Sequence, residues 1–261
     1  MLSITANQFD LVHNVLSLTI TAMGAATVFF FLQRSEVLAK YRVVVTLAGI
    51  VTMIASYNYV QLLASWDASF INVGGSIKAT PHIYNEAYRY ADWLLTVPIL
   101  MVMLIMVIDL PKRQAQVRSF VLGLQAAEMI VLGYPGQVST DPTTRWLWWA
   151  AGMVPFGIIL YQLYVSLAQA VRTQPEEARH LIVAARFLTV AVWCTYPIIY
   201  VLPMLGVVGT TSFIATQIAY AFADITAKAV YGVMIYMIAM RKSHPELAAQ
   251  APQTLRTRQA A

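Results

Sequence analysis

Residues 219–234 read Ala-Tyr-Ala-Phe-Ala-Asp-Ile-Thr-Ala-Lys-Ala-Val-Tyr-Gly-Val-Met. Lys228 is the only lysine in this apolar stretch, and Asp224 lies four residues before it. Because residues four apart share one face of a helix, the carboxylate and the amine lie one turn from each other. A charge near the centre of a bilayer costs at least about 2.5 kcal/mol, so an ionisable residue there indicates a functional site. A buried lysine with a carboxylate partner is also an arrangement that holds a carbonyl ligand as a Schiff base.

The composition is that of a polytopic helical membrane protein. The chain has 261 residues, of which 59% are hydrophobic and 11% are charged, whereas soluble domains carry about 25% charged residues. Several apolar runs reach the roughly 20 residues that a helix needs to span a bilayer. These runs are continuous rather than alternating, which argues against a β-barrel. The N-terminus has no signal-peptide pattern, so we expect the first span to direct insertion, and the single Cys194 cannot form an internal disulfide.

We predict an all-α fold, a bundle of seven transmembrane helices. The predicted spans are Leu11–Gln33, Val43–Ser65, Glu86–Ile108, Ser119–Tyr134, Arg145–Val171, Leu181–Leu205 and Ser212–Met240. The fourth span ends at Gly-Tyr-Pro-Gly, residues 133–136, which is a strong helix stop. The connection Trp66–Asn85 is the longest and has room for a small hairpin. Residues 1–242 form the membrane domain, and residues 243–261 are predicted to be a polar, disordered cytoplasmic tail.

The basic residues predict the orientation of the bundle. Most of them lie in the odd-numbered connections or in the tail: Arg34, Lys40 and Arg42; Lys112, Arg113 and Arg118; Arg172, Arg179 and Arg186; Arg241, Lys242, Arg256 and Arg258. The even-numbered connections offer only Lys78 and Arg145. By the positive-inside rule the C-terminus is cytoplasmic and the N-terminus lies outside. Membrane topology therefore explains the net charge of +5, and we expect no nucleic-acid partner.

The charges within the predicted spans converge on Lys228. Arg89, Asp92 and Thr96 are spaced i, i+3 and i+7 and share one face of the third span. Because the third and seventh spans both run inward from the outside, Asp92 and Asp224 lie toward the external side of this region. If the two faces meet, two carboxylates flank one cation and Arg89 lies further out. A structural ion-pair cluster in a transporter or receptor bundle is the alternative.

Aromatic residues accompany these charges. They are Trp93 in the third span, Trp148, Trp149 and Phe156 in the fifth, and Trp193, Tyr196 and Tyr200 around Pro197 in the sixth. Aromatic stripes are more often ordinary packing than a cofactor site. Beside a buried lysine, however, they form the slot that a long apolar aldehyde needs. We predict no metal site.

The sequence resembles the microbial rhodopsins, the seven-helix retinal proteins, over nearly the whole chain. The resemblance rests on Arg-Tyr-Ala-Asp-Trp-Leu-Leu-Thr-Val-Pro at 89–98, Trp-Cys-Thr-Tyr-Pro at 193–197 and Asp-Ile-Thr-Ala-Lys at 224–228. The Leu-Leu-Thr-Val-Pro part and Leu-Gly-Tyr-Pro-Gly at 132–136 are closer to the bacterial proteorhodopsin and xanthorhodopsin branch than to the haloarchaeal one.

The resemblance implies roles for the residues of the site. Lys228 carries all-trans retinal as a protonated Schiff base, Asp92 is the primary counterion and proton acceptor, and Asp224 is the second counterion. Arg89 is the gate toward the external side, and Thr96 occupies the second motif position. The residues expected to hold retinal are Trp93, Trp193, Tyr196, Pro197, Tyr200, Trp149, Leu100, Tyr59, Phe156 and Gly133. Of these, Tyr59 and Tyr196 are also expected to hydrogen-bond Asp224, and Leu100 indicates green absorption.

Three positions depart from the family pattern. Outward proton pumps usually place a carboxylate eleven residues after the acceptor, roughly 16 Å toward the cytoplasm. This chain has Met103 there, which cannot donate a proton, so we expect slow, pH-dependent reprotonation from cytoplasmic water. Asn58 replaces the histidine that commonly pairs with the acceptor in this branch. Trp149 stands where carotenoid-binding relatives have glycine, so we expect no carotenoid antenna.

Three further ionisable residues have weaker assignments. Glu128 falls near the ring end of retinal and is interpreted as a protonated, hydrogen-bonded structural carboxyl, with proton transfer as the alternative. His82 and Glu86, at the start of the third span, are interpreted as exposed loop residues, with a proton-release path as the alternative.

These observations favour a light-driven outward proton pump in the plasma membrane, a transporter or photoreceptor rather than an enzyme. Its expected partners are the lipid bilayer, protons and further copies of the chain in a trimer or pentamer. A sensory rhodopsin that signals to a partner protein is the alternative, favoured by Met103 and the basic tail. An anion pump is disfavoured because Asp92 is acidic, and a sodium pump because that type has a different motif at Asp92 and Thr96. A bundle without retinal is the remaining class.

Overall fold

The computed structural model describes residues 4–73 and 76–259, with side chains described as far as residue 245. In this part of the chain, seven helices are long and apolar enough to cross a membrane: Ala6–Glu36, Ala39–Ser69, Ala87–Ile108, Lys112–Val138, Pro142–Ser166, Glu176–Leu205 and Thr210–Pro245. They are called the first to the seventh helix below. The predicted all-α, seven-helix class is confirmed.

Irregular turns divide several of these helices. The first helix consists of Ala6–Gln33 and the 3₁₀ turn Arg34–Glu36, and the fifth consists of Pro142–Tyr161 and the π-helix Gln162–Ser166, which the short helix Ala168–Arg172 follows. The sixth helix consists of Glu176–Trp193, Thr195–Val201 and the 3₁₀ turn Leu202–Leu205. The seventh helix consists of Thr210–Asp224, the π-helix Ile225–Val230 and Tyr231–Gln259. Segments of π-helix are rare and are frequent at functional sites. The π-helix of the seventh helix contains Lys228.

The fourth helix does not stop where the sequence predicts. It runs through Pro135 and ends at Val138, so the predicted stop at residues 133–136 is wrong. A proline removes one backbone donor, and a membrane helix tolerates this loss where neighbouring helices compensate for it. The glycines serve close packing instead: a Cβ atom added at Gly136 would lie 2.8 Å from Trp148 Cβ.

A two-stranded antiparallel hairpin closes one end of the bundle. Strand β1, Phe70–Val73, pairs with β2, Ser76–Ala79, in the register Phe70↔Ala79. The hairpin is attached to the second helix because Thr80 N donates to Ser69 O at 2.9 Å. The expectation of a hairpin in this connection is confirmed, and we call this end of the bundle the hairpin end.

The opposite end, the tail end, contains Asp109 and the exit of the seventh helix. The backbone of that helix continues to Gln259, so no break marks the predicted domain boundary at residues 242 and 243. The side chains from residue 246 onward lie outside the described part, as do residues 260 and 261 altogether.

The third helix has the largest buried share of the seven, because it packs among the others. Its residues Thr96, Leu100, Met103 and Leu104 are almost fully inaccessible. Side chains on this helix therefore face the interior of the bundle, where they meet the seventh helix around Lys228.

Candidate functional site

Lys228 lies between two carboxylates, one from its own helix and one from the third. Its Nζ is 2.6 Å from Asp92 Oδ2 and 3.1 Å from Asp224 Oδ1. None of the three residues is more than 2% exposed. An isolated buried charge is strongly unfavourable, and the ammonium is tolerated here because both carboxylates face it. The two faces that the sequence placed on the third and seventh helices do meet.

The two carboxylates differ in the donors that they contact. Asp224 accepts hydrogen bonds from Tyr196 Oη at 2.6 Å, Tyr59 Oη at 2.8 Å and Trp93 Nε1 at 3.0 Å. Asp92 Oδ2 contacts Lys228, whereas the buried Oδ1 of Asp92 has no hydrogen-bond partner among the described residues. Donors stabilise the ionised form of a carboxyl group. Asp224 is thus held as a fixed anion, and Asp92 is the carboxylate better able to take up a proton.

Arg89 connects this group to the hairpin end of the bundle. It is 1% exposed, and its Nη1 donates to Tyr59 Oη at 3.0 Å. The guanidinium also lies 5.4 Å from the centroid of the Tyr59 ring and 5.3 Å from that of Tyr220. Arg89 and Lys228 are thus the two cationic side chains that accompany Asp92 and Asp224 in this buried cluster.

Amide side chains extend the network beyond Arg89. Arg89 Nη2 donates to Gln217 Oε1 at 2.7 Å, and Gln217 Nε2 donates to Glu86 Oε1 at 2.7 Å. Gln137 Nε2 donates to the other oxygen of Glu86 at 3.0 Å. The interpretation as an exposed loop residue is therefore wrong for Glu86, which is partly buried, whereas His82 is exposed.

The sequence carried a signal for this network that residue-by-residue reasoning missed. Gln217 lies seven residues before Asp224, and Glu86 lies three residues before Arg89. Spacings of seven and three residues place Gln217 on the same helix face as Asp224, and Glu86 on or beside the face that carries Arg89. The partner across the two helices was not visible from spacing alone.

An apolar pocket adjoins Lys228. Its wall contains nine of the residues predicted to hold a ligand: Trp93, Leu100, Gly133, Trp149, Phe156, Trp193, Tyr196, Pro197 and Tyr200. Lys228 and Asp224 are the charged residues in this wall. Further residues of the wall were not predicted: Tyr90, Val97, Met129, Ile130, Gly152, Met153, Tyr220 and Ala227. An apolar, aromatic pocket with a lysine in its wall is therefore present.

Four predicted site residues lie outside the wall of this pocket: Asp92 and Arg89, described above, and Tyr59 and Thr96. Tyr59, expected among the residues that hold the ligand, instead contacts Asp224 and Arg89 through its hydroxyl. It is fully buried behind the carboxylates, because the second helix reaches the cluster from the other side. Thr96 Oγ1 donates to Asp92 O at 2.8 Å and so contacts the backbone of the third helix.

The residues that depart from the family pattern take apolar or local contacts. Met103 is fully buried in the core of the bundle. Asn58 Nδ2 donates to Ile54 O at 2.9 Å, one turn earlier on its own helix. Glu128 is partly exposed on the fourth helix, one residue before Met129 of the pocket wall.

Comparison with known proteins agrees with this arrangement. The family model described as bacteriorhodopsin-like protein matches residues 10–242. The chain is a microbial rhodopsin. It is therefore a multi-pass membrane protein that acts as a light-driven transporter or photoreceptor rather than as an enzyme. The predicted family is confirmed.

Solved structures and curated relatives place this rhodopsin in the proteorhodopsin and xanthorhodopsin branch. It is 42% identical to xanthorhodopsin, which is described as a light-driven ion pump with dual chromophore, over 94% of this chain and 99% of that one, with a TM-score of 0.91. A thermophilic rhodopsin is 38% identical with the same coverage and TM-score. The green-light absorbing proteorhodopsin of Gamma-proteobacterium EBAC31A08 is 27% identical over 87% of this chain and 85% of its own.

The residues present fit the retinal that this family implies. Lys228 supplies a primary amine to a pocket whose walls are aromatic and aliphatic, which suits a long apolar aldehyde. Trp93 and Trp193 both belong to this wall, and Asp92 and Asp224 stand beside the amine to balance a positive charge on it. Lys228 Nζ is the atom that would form the covalent link.

Proposed function

We propose that this rhodopsin is a light-driven outward proton pump. The observation that carries the proposal is the position of Lys228 Nζ, 2.6 Å from Asp92 Oδ2 and beside Asp224, from which a hydrogen-bonded network runs through Tyr59, Arg89 and Gln217 to Glu86 at the hairpin end. Transport requires that a proton leave on one side and be replaced from the other. The network provides the first of these two routes.

Lys228 would hold all-trans retinal through a Schiff base at Nζ, with Trp93, Trp193 and Tyr200 among the residues of the surrounding wall. When bound, retinal supplies light absorption and a double-bond isomerisation. Leu100 in the same wall supports the expectation of green absorption.

Asp92 accepts the proton from Nζ because its carboxylate is the nearest base and has few other donors. Asp224 remains ionised, since Tyr59, Tyr196 and Trp93 hold both of its oxygens. Asp224 thereby keeps a negative charge beside Nζ throughout the cycle. Its task is to orient the amine and balance its charge, whereas Asp92 changes protonation state.

Arg89 keeps its own proton, because a guanidinium is not deprotonated in proteins. It lies between the carboxylates and the hairpin end, so a proton on Asp92 has a cation on its exit side. Thr96 fixes the local backbone through its hydrogen bond to Asp92 O. These contacts support a gating role for Arg89 and a positioning role for Thr96.

The orientation follows from the positive-inside rule, with the hairpin end outside and the tail end in the cytoplasm. On that basis the proton leaves toward the outside. The proton that replaces it must cross the apolar region around Met103. We propose that reprotonation is slow and depends on cytoplasmic pH, because no carboxylate stands at that position to donate.

Three further proposals concern the carotenoid antenna, the domain bounds and the assembly. Trp149 is part of the pocket wall and its Nε1 donates to Pro197 O at 3.2 Å, so its ring closes the space that a carotenoid antenna would need. The membrane domain is proposed to comprise residues 1–242, and residues 243–261 a cytoplasmic tail. A trimer or pentamer in the plasma membrane is the proposed assembly.

A sensory rhodopsin is the second candidate. The buried Met103 favours it, since slow reprotonation prolongs the state in which a partner protein can be engaged. Such a protein would change its photochemistry or its transport when the partner is bound.

Light-induced pH change in intact cells tests the pump. Cells that express the chain and are supplied with retinal should acidify the medium under green light, and a protonophore should abolish the signal. Cells that express the pigment, as seen from its visible band, and show no light-dependent pH change would exclude pumping and leave the sensory function.

A further inference from the structure

Glu86 occupies an unusual position for a carboxylate at the start of a membrane helix. It is the residue before Ala87–Ile108, yet its side chain does not cap that helix. Its two oxygens instead accept from Gln217 on the seventh helix and Gln137 on the fourth. Glu86 therefore joins three helices at the hairpin end, between the buried network and the solvent.

The donors fix the orientation of the Gln217 amide. Arg89 can only donate, so the amide oxygen of Gln217 must face it. The amide nitrogen then faces Glu86, as the 2.7 Å contact shows. Gln217 is fully buried and carries no titratable group. It thus connects the guanidinium to the carboxylate without competing for a proton.

Two tyrosines stand along the same route. Tyr59 Oη contacts Arg89 on the side of Asp224, and Tyr84 Oη contacts Arg89 Nη2 at 3.4 Å on the side of the hairpin. Burial raises the pKa of Tyr84 above its ordinary value, although Arg89 opposes the rise. At neutral pH its hydroxyl is therefore protonated, so it can pass a proton on but does not store one.

We propose that Glu86 is the terminal proton-transfer group of the exit route, the carboxylate that takes up the proton leaving Asp92 and passes it to external water. In this step the O–H bond on Asp92 breaks and an O–H bond forms on Glu86, while Arg89, Tyr59 and Gln217 line the region between the two carboxylates. Loss of the proton from Glu86 to water restores the ionised carboxylate. Arg89 keeps its proton. Its hydrogen bonds to Tyr59 and Gln217 keep the side chains between Asp92 and Glu86 in place.

This inference rests on the proposed proton pump, and its test uses the full chain loaded with retinal in nanodiscs. A single flash is followed by time-resolved infrared spectroscopy of the protonated Asp92 carboxyl and by a pH-sensitive dye in the bulk solution. In Glu86→Gln, both the decay of protonated Asp92 and the appearance of the proton in solution should slow by about tenfold or more, the order expected for loss of a positioned proton-transfer group. Glu86→Asp should restore most of the rate, because it restores a titratable carboxylate.

Asp67→Asn is the matched control. Asp67 is another carboxylate at the hairpin end, but it is exposed and its partner is His13 at 3.0 Å. Its neutralisation changes the same surface charge without touching the network, so both signals should remain as in the unmodified chain. If Glu86 were only structural, Glu86→Gln would not selectively slow the decay of protonated Asp92 and the release of the proton. Glu86→Asp would then not restore the rates.

The outcomes separate this inference from the proposed function. If the unmodified chain acidifies the medium and Glu86→Gln releases its proton at the unmodified rate, Glu86 is not the terminal group and the pump stands. If the unmodified chain moves no protons, the pump itself is excluded. A measurement on the unmodified chain guards against a variant that fails to fold: a second carboxyl C=O stretching band should rise transiently as that of Asp92 falls, and its absence would overturn the proposal.

Discussion

The interior of this rhodopsin differs on the two sides of Lys228. Toward the hairpin end, the bundle buries Asp92, Asp224, Arg89 and Gln217 in one connected network. Toward the tail end, the third helix contributes an unbroken apolar sequence, residues 97–108, before Asp109. The polar contact of Tyr231 on that side, 3.0 Å from its Oη to Leu100 O, is between neutral groups.

This difference would give proton transfer through the bundle a direction. A buried charge is stable only where partners are provided, and both carboxylates that contact Lys228 belong to the network that leads to the hairpin end. In the proposed pump, a proton released from Nζ would meet carboxylates on the hairpin side and the apolar residues 97–108 of the third helix on the tail side. Proton exit and proton return consequently depend on different residues, and variants can separate them.

Removal of the lysine should have the largest effect. Lys228→Ala deletes the amine, so addition of retinal should give no visible absorption band of the pigment. Lys228→Arg is the matched control for charge, since a guanidinium keeps the positive charge but does not form the covalent link. A red-shifted band in either variant would show that the ligand is held elsewhere.

Neutralising the proton acceptor Asp92 should prevent proton transfer toward the hairpin end. Asp92→Asn keeps the size of the side chain but cannot take up the proton, so light-driven acidification should fall by about 100-fold or more. Asp109→Asn changes a carboxylate at the tail end, 3.4 Å from Lys40 Nζ, and should leave most of the activity. Equal losses in the two variants, measured at matched pigment content, would contradict the difference between the halves.

A carboxyl group placed between Lys228 and the tail end should provide the proton donor that the third helix lacks at residue 103. Met103→Glu puts a proton donor at the apolar position, and reprotonation measured by flash photolysis should accelerate by about tenfold. Met103→Leu preserves volume and polarity, so it should leave the rate unchanged. If glutamate gave no acceleration, the rate would be limited by something other than the lack of a donor at residue 103.

The smallest expected difference is between the free-energy costs of removing the hydroxyl group from two buried tyrosines, Tyr59 and Tyr231. Tyr59→Phe removes a hydroxyl that donates to Asp224 and accepts from Arg89, so it should cost about 1–3 kcal/mol, the range for hydrogen bonds with charged partners. Tyr231→Phe removes a bond to a neutral carbonyl and should cost about 1 kcal/mol. Thermal denaturation of the pigment measures both, and the opposite order would show that the hairpin half is not the more strongly coupled one.

Much of this structure is legible in the sequence because the bilayer imposes simple demands. Apolar runs of fixed length set the seven helices, and the spacing of Arg89, Asp92 and Thr96 places them on one helix face. The family resemblance predicted nine residues of the pocket wall, and seven of them also belong to the aromatic groups that the sequence places near Lys228. The predicted helix stop at residues 133–136 failed for a physical reason, since Gly136 lies in close contact with Trp148 of the fifth helix and Tyr200 of the sixth.

What the sequence left out depends on contacts between distant helices. Spacing does not show that Gln217 lies between Arg89 and Glu86, because these residues are 128 and 131 positions apart from it along the chain. Likewise, Tyr59 belongs behind the carboxylates rather than in the pocket wall, a distinction set by how the second helix packs. Pairings of this kind arise only when the bundle is assembled.

The difference between the two halves is tested most directly by the response of the photocycle to azide, a small carrier that delivers protons without a protein donor. Flash photolysis of the unmodified chain at several pH values should show reprotonation that slows as the pH rises and that azide accelerates by about tenfold or more. In Met103→Glu, the same addition should have little effect. A fast, pH-independent and azide-insensitive reprotonation in the unmodified chain would contradict the claim that its tail half lacks a proton donor.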